Sequence, residues 1–427
     1  MIKDPVQQCK HWALLSLLNF VLVSLLGVLL RYKIAFPLPG VNYKYLLNAH
    51  SHFAFAGWVS MAIFTAFVYM LSEETGTISS RYRYQFNLAQ IANFGMLLSF
   101  PFEGYAAISI GFSCLFILFS YWFAWQYWKD LAKSKLPRLV KYFAKASLFF
   151  FVLSSTGPYL LGYILSHRIY NNNLYQNSIY LFLHFQYNGW FSFGVLAIFF
   201  RFLYSGKIPF DEQKGMLFFW ILFAACIPAY CLSLLWTSPP FWVFLLAALA
   251  GFAQLAGAGI LVGLLLKVRK EPTASLSALT NICWQLSLLA FCIKLLLQAL
   301  SAIPALGKFA FGIRPVIIGY LHLVMLGFIS LFLVGYFLSR NLFRQANRFS
   351  KTGLAIFILG VLANEIFLLL QGIFVLTGNG WVSAGYWLFA AAIALFAGLS
   401  ILFLHEFQDR GRRVSPLPVS RNDQDQQ

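Results

Sequence analysis

Apolar stretches about twenty residues long recur from residue 13 to residue 404, and stretches of that length are what cross a hydrocarbon layer about 30 Å thick. Inside hydrocarbon a helix is the one open-ended segment that satisfies its own backbone N–H and C=O groups. The pattern therefore predicts an all-α polytopic membrane protein with twelve transmembrane helices. They lie near 13–33, 46–71, 85–101, 105–128, 143–166, 176–203, 215–236, 240–266, 277–300, 313–338, 352–374 and 383–404, the third being the shortest. Residues 1–404 form one transmembrane domain, and 405–427 read as a polar cytoplasmic tail. With 60% hydrophobic and 10% charged residues, nothing is left for a large soluble domain.

Charge orients the spans. Most Lys and Arg fall in the termini and in the loops after even-numbered spans, above all Lys129–Lys141 and Arg340–Lys351, while the loops after odd-numbered spans hold Arg31, Lys33, Lys44, Arg168, Lys308 and Arg314. Cytoplasmic segments carry the cationic excess, which puts both termini in the cytoplasm. The net charge of +18 is accordingly a signature of contact with membrane lipid and not of nucleic acid binding. The six cysteines form no C-x-x-C and no C-x-x-C-H, which argues against thiolate metal sites and covalently attached heme. No phosphate loop, dinucleotide fingerprint, H-E-x-x-H or G-x-S-x-G occurs, so any chemistry belongs to the bilayer or its edge.

One pattern recurs. Residues 52–60 read HFAFAGWVS, residues 184–192 HFQYNGWFS and residues 322–330 HLVMLGFIS, each being His, four residues, Gly, an aromatic, one residue and Ser. The copies sit on spans 2, 6 and 10, which divides the chain into three pseudo-symmetric four-helix blocks at about 1–140, 141–270 and 271–404. His52, His184 and His322 would lie at one level, about 9–14 Å below the outer surface at 1.5 Å per residue, where they can converge on a shared prosthetic group. His50 points to another face of its helix and reads as an accessory ligand. Arg314, about two turns above His322, is placed to meet an acidic group of such a cofactor. Tyr187 shares a face with His184, and Glu103 in FPFEGY lies at the outer turn between spans 3 and 4, where it could accept a proton or an imidazole N–H. Lys294 and Glu365 are charges within spans and need partners or water.

Twelve spans in three blocks, with histidines on spans 2, 6 and 10, resemble the catalytic subunit of the heme-copper oxidase superfamily, which includes the cbb3-type oxidases and the bacterial nitric oxide reductases. HSHFAFAGW at 50–58 is also similar to a motif of the NnrS group of heme- and copper-containing membrane proteins. The resemblance implies a low-spin heme b between His52 and His322, and copper or non-heme iron at His184. It implies quinol or a cytochrome as electron donor, other respiratory subunits as partners, and a bacterial-type inner membrane. It also marks departures: residues 215–236 contain no histidine where the family has a pair, and Tyr320 stands where the family has the high-spin heme ligand. The binuclear centre is therefore incomplete or altered, and the role implied is respiratory electron transfer or nitric oxide and oxygen handling. A heme-dependent oxidoreductase, a transporter or channel, and a cofactor-free assembly protein of a respiratory complex stay open at this point.

Overall fold

The computed structural model describes residues 4–268, 276–344 and 348–414. It is a bundle of twelve long helical rods: α1 (Pro5–Ala35), α2 (Tyr43–Thr75), α3 (Ser80–Glu103), α4 (Ala107–Lys133), α5 (Arg138–Ser166), α6 (172–205), α7 (Glu212–Thr237), α8 (Phe241–Val268), α9 (Ala278–Ser301), α10 (Arg314–Ser339), α11 (Arg348–Leu376) and α12 (Ala384–Val414). A short helix, Pro304–Gly312, joins α9 to α10. Polar caps start many rods, as where the Asn42 side chain accepts from the Lys44 and Tyr45 amides, and Asp211 from Lys214. Gly76, with φ +66°, ends α2 in a conformation that favours glycine.

Ten of these rods are long and apolar enough to cross a membrane. The other two, α3 and α6, carry Gln90, Asn93, Gln186 and Asn188, which are buried in the bundle and so do not meet lipid. Helix α12 continues to Val414 and takes in the first part of the expected tail; residues 415–427 lie outside the described residues.

The three motif copies share a backbone feature. Directly after the histidine each helix widens into a π turn, at Phe53–Ser60, Phe185–Phe191 and Leu323–Ser330. Such a turn shifts the hydrogen-bond ladder and leaves a carbonyl without its usual donor. The first helix of each block supplies one. Ser147 Oγ donates to the Trp190 carbonyl and Ser287 Oγ to the Phe328 carbonyl, each at 2.7 Å, and in the first block Asn19 Nδ2 donates to the Gly57 carbonyl at 2.7 Å.

A phenyl ring four residues beyond each serine then packs on the motif aromatic. Phe20 stacks on Trp58 (centroids 4.3 Å apart, 4° between planes), Phe151 on Trp190 (4.3 Å, 10°), and Phe291 meets Phe328 (4.8 Å, 44°). These side chains belong to a second repeat, Ser-Leu-x-x-Phe, at 16–20, 147–151 and 287–291.

The motif also joins the blocks. Trp58 Nε1 donates to Ser330 Oγ at 2.8 Å, and Trp190 Nε1 donates to Ser60 Oγ at 3.1 Å. The third link is missing because the Phe328 ring has no N–H; Ser192, like Ser330, donates to the carbonyl five residues before it, that of Tyr187 at 2.6 Å. At the opposite ends of the same helices Glu73 of α2 holds Arg201 of α6 at 3.4 Å and Arg340, directly after α10, at 3.6 Å. Gly, aromatic and Ser thus form a packing code that brings α2, α6 and α10 to the centre.

Candidate functional site

Successive residues on a helix are about 100° apart, so residues two apart face nearly opposite ways. His50 and His52 accordingly enter different gaps of the bundle. His50 lies against α1, with Nδ1 3.1 Å from the Val23 carbonyl, and Gly27 passes close by its ring. A carbonyl can only accept, so the proton is on Nδ1 and the Nε2 lone pair is open. His322 is held the same way, with Nδ1 2.8 Å from the Ile318 carbonyl of its own helix. Neither Nε2 has a hydrogen-bond partner among the described residues. Arg31 and His50 lie within electrostatic reach of His322, and His52 does not.

Above His322 opens a cavity of about 590 Å³ whose lining includes Arg31, Tyr43, Arg314, Ile318, Gln371 and Trp381. Arg314 Nη2 donates to the Tyr43 hydroxyl at 3.3 Å, with its guanidinium 5.5 Å from the ring centroid. Arg31 has no ion pair or hydrogen bond among the described residues. Two guanidinium groups at one mouth with no carboxylate in contact form a receptor for an anion. Gly319 packs on Leu368, and a side chain on Gly372 would meet Val316. This antiparallel register of α10 and α11 sets Glu365 level with His322, where Asn364 Nδ2 donates to it at 3.0 Å and the charge of Arg31 reaches it. Arg31 was a missed site residue, although a cation in the last turn of span 1 with no acid one turn away is a readable signal.

His52, the expected α2 ligand, is turned from this cavity. Its Nε2 is 2.8 Å from the Tyr105 hydroxyl, and its ring stacks on Phe100 at 4.5 Å. Glu103, expected to serve a proton or an imidazole, caps a helix: Oε1 accepts the Ser109 amide N–H in the first turn of α4 at 2.6 Å.

The third gap lies between α6 and α10. His184 is buried with both nitrogens engaged: Nε2 donates to the Cys226 carbonyl at 2.8 Å, and Nδ1 accepts from Asn188 Nδ2 at 3.0 Å. Helix α7 tightens to a 3₁₀ turn from Pro228 onward, next to the carbonyl that His184 bonds. Tyr187 and Tyr320 meet edge to face with centroids 5.9 Å apart, and the Tyr320 hydroxyl leans toward Tyr187 without reaching hydrogen-bond geometry. Lys294, 2% exposed, rests 5.6 Å from the centroid of Phe291, and its charge reaches His184 and Cys226. No group of three or more His, Cys, Asp or Glu suited to a metal ion occurs among the described residues.

The fold is similar to that of a solved structure, a heme-copper terminal oxidase dimer determined by cryo-electron microscopy. The TM-score is 0.70 with 13% sequence identity, over 96% of this chain and 84% of that one. The fold is that of a heme-copper terminal oxidase. No family model and no curated protein matches the sequence. Identity at this level establishes the fold alone, so the chemistry rests on the residues in the three gaps.

Proposed function

We propose that this multi-pass membrane protein holds one b-type heme between His50 of α2 and His322 of α10, and that it serves respiratory electron transfer. One observation carries the reading: both imidazoles are anchored through Nδ1 to a backbone carbonyl with no hydrogen-bond partner at Nε2, and about one turn beyond His322 its helix lines, at Ile318, a cavity that also holds Arg31 and Arg314. Anchoring one ring nitrogen fixes the tautomer and orientation that suit a metal at the other. The donor set fits heme b. The cavity volume is in the range of about 300–1,000 Å³ common for cofactor sites, and Arg31 and Arg314 would take the two carboxylates of the macrocycle. Bound there, the group supplies a one-electron iron couple. His50 and His322 would hold its iron through Nε2, Arg314 and Tyr43 would stand at the mouth joined by their hydrogen bond, and Glu365 would place a carboxyl level with His322.

A copper or non-heme iron ion does not fit at His184, because both of its nitrogens are engaged and Tyr187, Tyr320 and Lys294 add no imidazole. Chemistry on a bound gas needs an open metal position, and this arrangement provides none at His184. Quinol or a cytochrome fits as the electron donor, with other respiratory subunits as partners.

Reduced-minus-oxidised absorption spectra of the purified protein test the assignment. His50→Ala and His322→Ala should each lose the low-spin signal, while His52→Ala and His184→Ala keep it, with helix content by circular dichroism unchanged in all four. Loss in His52→Ala with retention in His50→Ala would overturn the pairing. A colourless wild-type protein would move the reading to a cofactor-free assembly protein or a transporter.

A further inference from the structure

A second cavity, of about 220 Å³, opens on the outer side of the bundle between α4, α5 and α7. Trp128, Tyr142, Phe149, Trp220 and Phe223 form most of its wall, and Lys145 is the charged residue in the lining. Trp128, Phe149 and Trp220 are 42%, 42% and 51% exposed, which places them against lipid. From Tyr142 to Phe149 helix α5 advances about 10 Å along its axis, so the groove runs in the direction of an acyl chain.

Cations gather at the end of the groove nearest the loop. Lys145 Nζ lies 5.2 Å from the centroid of Trp128. Arg138 Nε and Nη2 donate to the Tyr142 hydroxyl at 2.9 and 2.8 Å. Lys135 lies in the turn between α4 and α5, flanked by Lys129 and Lys133 at the end of α4 and Lys141 at the start of α5. The nearby acids are already engaged: Asp130 accepts from Tyr82 at 2.6 Å and from Gln126 at 2.9 Å, and Glu74 accepts the Lys135 amide.

We propose that this groove binds an anionic phospholipid, with one acyl chain along α5 between Trp128 and Trp220 and the phosphate against Lys145 and Arg138. An apolar track capped at one end by cations matches a chain with a charged head, since each Lys or Arg near a lipid phosphate adds attraction and aromatic rings favour that depth. A quinone needs polar partners for two carbonyls across its ring, and the wall offers them at one end only. The groove also lies at the opposite end of the bundle from His50 and His322. The inference does not depend on the heme reading.

Native mass spectrometry of the full chain tests it, after exchange in detergent with phosphatidylglycerol, phosphatidylcholine or ubiquinone. Phosphatidylglycerol should be retained at one copy and phosphatidylcholine not. The double variant Arg138→Gln, Lys145→Gln should lose at least fivefold of that retention, and Ala146→Leu, which fills the groove, should lose it with the cations intact. Unfolding temperatures in lipid-free detergent establish that both variants fold. Equal retention of the two phospholipids, no loss in either variant, or displacement of phosphatidylglycerol by ubiquinone would overturn the proposal.

Discussion

Gly189, Gly327 and Gly57 occupy one sequence position in three copies of one motif, yet a methyl group should have different costs at each. A Cβ at Gly189 would stand 2.3 Å from Phe150 Cβ and 2.7 Å from its Cγ. Helix α5 would have to retreat by about 1 Å, and overpacking of that kind costs about 1–3 kcal/mol. The retreat would also strain the Ser147 bond to the Trp190 carbonyl, at 2.7 Å, which contributes about 1 kcal/mol. At Gly327 the nearest atom is Ala290 Cβ at 3.2 Å, so a few tenths of an ångström suffice, and the better helix propensity of Ala, up to about 1 kcal/mol, offsets the contact. Gly189→Ala should therefore be less stable than Gly327→Ala by about 2 kcal/mol, read from denaturant unfolding of the purified protein followed by tryptophan fluorescence. Because the clash is with Phe150 Cβ itself, Phe150→Gly should relieve it, with a coupling of about 1–3 kcal/mol in a double-mutant cycle. Equal stability of the two alanine variants, or additivity in the cycle, would refute the close approach of α5 and α6.

The links between blocks should also differ in strength. Trp190→Phe leaves Ser60 Oγ, 1% exposed, without its hydrogen bond and should cost about 1–3 kcal/mol, whereas Trp58→Phe should cost about 1 kcal/mol, because Ser330 keeps its bond to the Met325 carbonyl; chemical denaturation orders the two, and the reverse order would count against the ring of contacts. For topology, cysteines at Ser134 and Lys207 should react with an impermeant thiol reagent from the cytoplasmic side, and one at Tyr170, 95% exposed, from the other. Labelling of Ser134 and Tyr170 from one side would contradict the path of α5.

The all-helical membrane fold was legible because burial in lipid is a demand on each segment separately: an apolar run of sufficient length becomes a spanning helix whatever its neighbours are. The repeat at His52, His184 and His322 was legible for a related reason, since its aromatic and hydroxyl residues make matching contacts with neighbouring helices where the motif recurs. Its partner pattern, Ser-Leu-x-x-Phe at 16–20, 147–151 and 287–291, was equally visible but carries no reactive group to draw attention to it. What the repeat marks is mostly packing, with Gly, aromatic and Ser joining helices to one another.

The chemistry of each histidine was decided by the tertiary structure. His184 and His322 share a sequence position, but one has both nitrogens engaged, by the Cys226 carbonyl and Asn188, while the other is held through Nδ1 alone. His52 carries the motif, yet His50 is the one within electrostatic reach of His322, because a shift of two residues turns a side chain to nearly the opposite side of its helix. Arg31 joins the same site from a helix more than 280 residues away in sequence from Arg314. Local spacing sets the angle between two side chains on one helix; the rotation and register of α1, α3, α7 and α11 around them set what each ring nitrogen meets.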